Sequence, residues 1–314
     1  MQYSQRGRLN DQIARAVCFV CAILLVAVII AVFFFIGSKS FKIFSEGGNP
    51  KTFFTIDNWD PTGVNDPNGN PTYGGAGLLL GSIVITLGSI IIVTPLALFT
   101  AVFFTEMAPR WLVRLLQPLI EIFTGVPSVV IGFLGLTVLV PLLSRFITPF
   151  AASLAIEGAT AGYGWGSAIL VLVVMVLPTV LSVSIDSLRA VPDGVREASL
   201  ALGSTRWQMM RKAVIPAAST GLGTAVVLGM TRAIGETLAV ALVLNGSSLP
   251  EKLFSLGALF QPNVNVTAQI AQNFGEAVGT PAEDAYWTLA FVLLIISFLF
   301  ICVSRYLASR SVYK

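Results

Sequence analysis

Leu188-Arg-Ala-Val-Pro-Asp-Gly-Val-Arg-Glu-Ala-Ser-Leu-Ala-Leu-Gly-Ser-Thr-Arg-Trp-Gln-Met-Met-Arg-Lys-Ala-Val-Ile-Pro216 is a charge-bearing stretch held between two long apolar runs. Pro192-Asp193-Gly194 starts a short helix, because proline suits a first helical turn. Val195, Ala198, Ala201 and Leu202 then share one face at helical spacing. Gly203 fits a left-handed C-terminal cap, and Ser204 can cap a second helix running to Pro216. The expectation is two short helices with a tight break, occupying about residues 187–216.

Outward from this loop the chain is almost free of charge. Gly166–Ile185 precedes it and Ala213–Pro250 follows, the latter interrupted only by Arg232 and Glu236. Val17–Ile36, Leu78–Thr105, Ile122–Ser144 and Ala285–Ser304 are further uncharged runs. Each is long enough to cross ~30 Å of hydrocarbon. Composition agrees: 55% of the 314 residues are hydrophobic and 11% charged, against about 25% charged in soluble domains. Six membrane-spanning helices in an all-α fold are expected, with residues 1–314 forming one membrane domain. Lipid is then the chain's main surroundings. The intervening segments, about 37–77 and about 246–284, read as irregular outer loops, the second with some helical potential.

The basic residues give the orientation. Thirteen of the nineteen Lys and Arg fall on the side of the 187–216 loop and both termini, and five on the other side. The excess of Lys and Arg on cytoplasmic loops predicts that both termini lie in the cytoplasm of a multi-pass inner-membrane protein. Arg6, Arg8 and Arg15 precede a first run too long for a signal peptide, so a retained first span is expected.

Several functions are excluded. The net charge of +3 is too small to suggest a nucleic-acid partner. There is no histidine, and Cys18, Cys21 and Cys302 all lie in apolar runs without metal-site spacing. No catalytic residue, metal ligand or cofactor is therefore expected. The chain has no Gly-x-x-x-x-Gly-Lys-Ser/Thr phosphate loop, so any ATP hydrolysis belongs to another chain.

Glu197-Ala198-Ser199, then Gly203, then Pro216 thirteen residues further on resemble the cytoplasmic loop of ABC-importer permeases. That loop reads E-A-A, three residues, G, nine residues, I-x-L-P. Ser199 replaces the third alanine, Ala213 stands where isoleucine is usual and Ile215 replaces leucine, but the spacing is intact. The resemblance implies a coupling helix that docks in a cleft of an ATPase subunit, carried by Arg196, Glu197, Ala198, Ser199, Gly203 and Pro216.

Arg232 and Glu236 are the charges buried in the apolar runs. Each costs about 2.5–3.5 kcal/mol at the bilayer centre on insertion scales. Arg232 stands roughly 24 Å of helix beyond Pro216, too far to reach an interface easily. The i, i+4 spacing lets the pair share a helix face. Two readings follow: an ion pair that locks helix packing, or an anion site lining a path, with guanidinium donors matched to phosphate or carboxylate oxygens. Thr231 and Thr237 are candidate hydroxyl contacts, and Gly229 and Gly235 would permit close backbone approach.

Arg232-Ala-Ile-Gly-Glu-Thr237, Tyr73-Gly-Gly-Ala-Gly-Leu-Leu-Leu-Gly-Ser-Ile-Val-Ile-Thr86 and Gly125-Val-Pro-Ser-Val-Val-Ile-Gly132 resemble segments of the phosphate-specific ABC importers. The length and the outer loop before Tyr73 are more similar to the PstC family than to the PstA family. The resemblance implies a type I ABC importer permease with a PstA-like second permease, a PstB-like ATPase dimer and a PstS-like phosphate-binding protein. It also implies that Arg232 and Glu236 serve transport. Permeases for other oxyanions, sulfate or molybdate, are the alternative among transporters. A receptor or scaffold would explain six spans but not the spaced Glu197–Pro216 loop.

Overall fold

The computed structural model describes residues 5–45, 49–56, 58–64, 66, 68–153, 162–246 and 256–309. Among them, six helical stretches are long and apolar enough to cross a membrane: Asp11–Phe44, Ala76–Met107, Ser128–Pro149, Trp165–Arg189, Arg206–Ile234 and Ala282–Tyr306. The all-α expectation holds, apart from one two-residue antiparallel ladder.

The first span belongs to α1 (Gln5–Ser40), longer than the apolar run that defines it. Two short helices follow, α2 (Lys42–Ser45) and α3 (Pro50–Thr55). The segment expected to be irregular also holds β1 (Trp59–Asp60) and β2 (Thr72–Tyr73), with Trp59 opposite Tyr73. The second span is α4 (Ala76–Val102), which widens into a π-helical turn at Phe103–Met107.

The third run departs from expectation. The basic stretch Glu106–Gln117 between the second and third runs reads as a turn, but residues from 110 to 125 are helical and form α5 (Arg110–Gly125). Ile122 belongs to α5, and the third span starts only at α6 (Ser128–Leu134). It continues through a π turn at Gly135–Leu139 into α7 (Val140–Ser153). Val126 and Pro127 are extended, because the residue before a proline is pushed out of the helical region.

The fourth span is α8 (Trp165–Arg189), the centre of the bundle, packed mainly against α4 and the fifth span. Trp165, Leu172, Met175 and Leu188 along it are fully buried. The loop then forms α9 (Asp193–Ala201) and α10 (Arg206–Met209). Gly203 adopts φ +80°, the left-handed geometry expected of it. Ser204 does not cap the second helix. Its hydroxyl donates to the Ser199 carbonyl at 2.7 Å and so caps the end of α9. Thr205 caps α10 in a reciprocal box with Gln208, a device worth about 1 kcal/mol.

Nor does the second helix stop at Pro216. α10 runs through a π turn at Met210–Val214 into α11 (Ile215–Ile234). A proline ring clashes with the carbonyl four residues before it. The wider turn, closed by Ile215 N–H donating to Met210 O, reroutes the carbonyls ahead of Pro216. The fifth run is itself two pieces: α11 ends at Ile234, and α12 (Leu238–Leu244) follows after a break. The segment after it contains a 3₁₀ turn at Leu256–Phe260 and α13 (Val266–Ala277), which realises its helical potential. The last span is α14 (Ala282–Ser309), packed on α11, with α1 against its outer side. Lys42 pairs with Asp284 at 3.1 Å, and Thr288 donates to Ser40 O at 2.9 Å, joining the tops of α1 and α14.

Between helices in lipid there is little hydrophobic driving force, so close packing of small residues does the work. The α6–α12 contact is an example in which backbone meets backbone. A Cβ on Gly132 would lie 2.6 Å from Ala239 Cα. Gly132→Val should therefore destabilise the chain by about 1–3 kcal/mol, lowering its melting temperature in detergent. Gly275→Ala, which meets nothing within 4 Å, should leave it unchanged or slightly raised.

Candidate functional site

The break in the fifth span and the break before the third meet. Gly235 ends α11, its N–H bonding Thr231 O at 3.3 Å, and Glu236 and Thr237 are non-helical before α12 begins. Arg232 therefore lies on the last turn of α11, and Glu236 beyond the helix. The pair does not share one helix face as an i, i+4 spacing would give, because the helix stops between the two residues. They interact through space, without an ion pair within 4 Å among the described residues.

Each charge has another partner. The Arg232 Nη1 group donates to Thr179 Oγ1 at 3.3 Å. Thr179 follows Pro178 near the middle of α8, so the guanidinium sits about halfway along that span. The Arg232 Nε–H is buried and meets no acceptor among the described residues. The Glu236 carboxylate lies beside the hydroxyl of Ser128, the first residue of α6. The site thus joins a guanidinium, a carboxylate and two hydroxyls where two helices are interrupted. Glu236 also lines a small, mostly apolar cavity that includes Ser82, Thr86, Asn265 and Thr267.

The hydroxyls named from sequence fare differently. Thr231 is exposed and donates within its own helix to Val227 O at 2.9 Å. Thr237 is half-buried beside Glu236. Ser128 and Thr179 were missed. Each follows a proline, at 127 and 178, and a proline within an apolar run is the signal that could have pointed to them. Gly229 packs against Val176 and Val180 as a close helix contact.

The second set of residues lies at the loop end. Glu197, Ala198, Ala201 and Gly203 are on the surface, and Leu202 is 89% exposed. Only Val195 of the apolar face is drawn into the bundle. Trp207, Leu200 and Met107 are also exposed, around a cleft of about 410 Å³ beside α9. Ser199 is half-buried, its hydroxyl 2.8 Å from that of Ser204. Pro216 is inside the continuous helix, and Arg196 lines the cleft while its guanidinium bonds the Leu188 carbonyl at the end of α8.

Residues 93–313 match the family described as binding-protein-dependent transport system inner membrane component. The chain belongs to that family. It is similar to the probable ABC transporter permease protein YqgH of Bacillus subtilis, 40% identical over 309 residues that cover 98% of this chain and 93% of the relative. It is also similar to the phosphate transport system permease protein PstC of Mesorhizobium japonicum, 30% identical and covering 98% and 92% of the two chains. PstC of Haemophilus influenzae is 32% identical, covering 92% and 88%. Among solved structures, a subunit of a bacterial ABC transporter importing alginate superposes with TM-score 0.62 at 10% identity, covering 98% of this chain and all of that one. A subunit of the MetNI methionine transporter gives 0.52 at 21% identity, covering 76% and 94%. The fold is that of type I ABC importer permeases, and the protein is a multi-pass membrane permease subunit.

In this permease, the structure separates two hydroxyls that look alike in sequence. Thr179→Val removes a hydrogen bond to a buried charge and should cost about 1–3 kcal/mol. Thr231→Val changes only an exposed back-bond and should stay within about 0.5 kcal/mol. Denaturation of the purified chain in mixed micelles checks the difference.

Proposed function

We propose that this permease forms half of the translocation path of an ATP-driven phosphate importer, with the whole chain acting as one membrane domain. The observation that carries the reading is the half-buried Arg232 guanidinium, its buried Nε–H unmet among the described residues, beside Glu236 where two helix breaks meet. Interrupted helices at mid-membrane are where transporters build substrate sites. Arg232 offers donors to the oxygens of a passing phosphate, and Glu236 balances the guanidinium when the path is empty. The exchange of one anion for another keeps binding weak, as a conduit requires. Phosphate near neutral pH still has a proton to donate to the Glu236 carboxylate, whereas sulfate has none. The relatives named as phosphate permeases support the same substrate.

A second permease of the PstA kind would complete the path. Thr220, Thr224, Leu228 and Thr231 recur every three or four residues and are all exposed. They mark the side of α11 that the chain's own bundle leaves uncovered, next to Arg232. A PstB-like ATPase dimer would dock on α9 through Glu197, Ala198, Ala201 and Leu202, and a PstS-like binding protein would deliver phosphate from outside. The 187–216 loop and both termini would be cytoplasmic, with the 37–77 and 246–284 segments outside.

Two experiments test this. In proteoliposomes with the three partners and ATP inside the appropriate compartment, labelled phosphate should be taken up, and excess sulfate or molybdate should leave the rate unchanged. Arg232→Gln should lower uptake at least tenfold with the complex still assembled. Uptake at the parental rate would make the pair structural, and equal competition by sulfate would make the path a general oxyanion route. For orientation, single cysteines at Lys51 and Arg206 should react with an impermeant reagent from outside and from inside respectively. Position 252, another expected outside site, lies beyond the described residues. Labelling of position 206 from outside reverses the topology.

A further inference from the structure

We infer that Arg196 and Glu106 form a positioning clamp that fixes α9 to the end of the second span, so that movement of α9 is passed to α4. This rests on the assignment of α9 as the ATPase-docking helix. Arg196 donates from Nε to Glu106 Oε1 at 3.1 Å, from Nη1 to Val191 O at 2.6 Å and Asp193 Oδ1 at 3.2 Å, and from Nη2 to Leu188 O at 2.9 Å. One side chain therefore ties three elements together: α9, the C-terminus of α8 and the π turn that follows α4.

Burial separates these contacts. The side chains of Arg196 and Glu106 are 18% and 12% exposed, whereas Asp193 is 89% exposed. The Glu106 contact is thus shielded, and the Asp193 contact is screened by water. The Leu188 carbonyl belongs to the last turn of α8, where a cation also meets the negative end of the helix dipole, and Val191 lies in the short link to α9. Only a guanidinium has enough donors in a fixed fork to serve the carboxylate and both carbonyls together; a lysine ammonium is a single point.

The placement of Glu106 explains what the clamp does. It stands in the Phe103–Met107 π turn, closed by Ala108 N–H donating to Phe103 O at 2.8 Å. A second π turn, Met210–Val214, also packs against α9. Such turns are weak points in otherwise regular helices and often mark functional positions. The docking helix is therefore held between the ends of spans two and five, each at a wide turn. Its attachment to span five is apolar packing, through Met209, Met210 and Val214, all buried. Its attachment to span two is the Arg196–Glu106 pair. Arg206 is the other cation lining the cleft beside Glu106; Arg189 bonds Gln117 instead, at 3.2 Å.

The test has two arms. In the first, the full chain in lipid nanodiscs, with Cys18, Cys21 and Cys302 changed to serine, carries spin labels at Met107→Cys and Ala201→Cys. The parental distance distribution should be narrow. Arg196→Met and Glu106→Gln should each broaden it at least twofold, and the double variant no more than either alone. Unchanged distributions, or additive broadening, would overturn the clamp. In the second arm, the assembled transporter with Arg196→Met should move at least fivefold less phosphate per ATP hydrolysed. An intact ratio despite broadened distances would reduce the pair to a cap on the loop and overturn the transmission role. If the parental transporter moves no phosphate, the proposed substrate fails, while the distance arm still decides whether the clamp exists.

Discussion

Backbone N–H and C=O groups cannot be left open to hydrocarbon, so a membrane-spanning chain must close its hydrogen bonds within each helix or cover the gap with protein. That constraint shapes this permease. Its long helices satisfy themselves, and the two places where they do not, residues 126–127 and 235–237, are brought together. Gly132 allows α6 and α12 to touch at backbone distance, which covers both interruptions. The polar groups that result stand beside one another: Arg232 donates to Thr179, and Ser128 lies next to Glu236. Two structurally expensive interruptions thus become one polar site halfway through the bundle.

The loop end follows the opposite logic. There water is available, and the chain leaves apolar side chains outside rather than polar ones inside. Ala198, Ala201, Leu202 and Trp207 remain uncovered although Val195 from the same helix packs inward. Contiguous apolar surface of this kind marks a binding face. Beneath it, a guanidinium turned away from solvent secures the helix to two spans. The outward side is adapted to meet a partner and the inward side to keep its position when it does.

Much of this could be read from residue order. Apolar run length gave six spans, Gly203 gave the left-handed turn, and the pattern from Pro192 to Gly203 gave a short surface helix between spans four and five. These features depend on local sequence, since hydropathy, a positive φ and helix periodicity are decided within a few residues. Errors arose where a local signal had more than one outcome. Ser204 and Thr205 are both good caps, and which helix each serves depends on the path of the chain between them. Pro216 was read as a terminus because proline removes a hydrogen bond, but a π turn accommodated it. Glu106–Gln117 reads as a turn because Arg110 and Arg114 interrupt the hydropathy, although the residues from Arg110 onward suit an amphipathic helix.

The sequence by itself determined that this chain lives in a membrane, how often it crosses, and that Arg232 and Glu236 would be its costly buried charges, because transfer energy depends on residue type and run length. Only the tertiary structure decided what those charges touch. Thr179 lies 53 residues from Arg232, and Glu106 lies 90 from Arg196. Ser128 reaches Glu236 only because α6 and α12 pack in contact. Such pairs form through the packing of distant helices, which fixes geometry that no local spacing encodes.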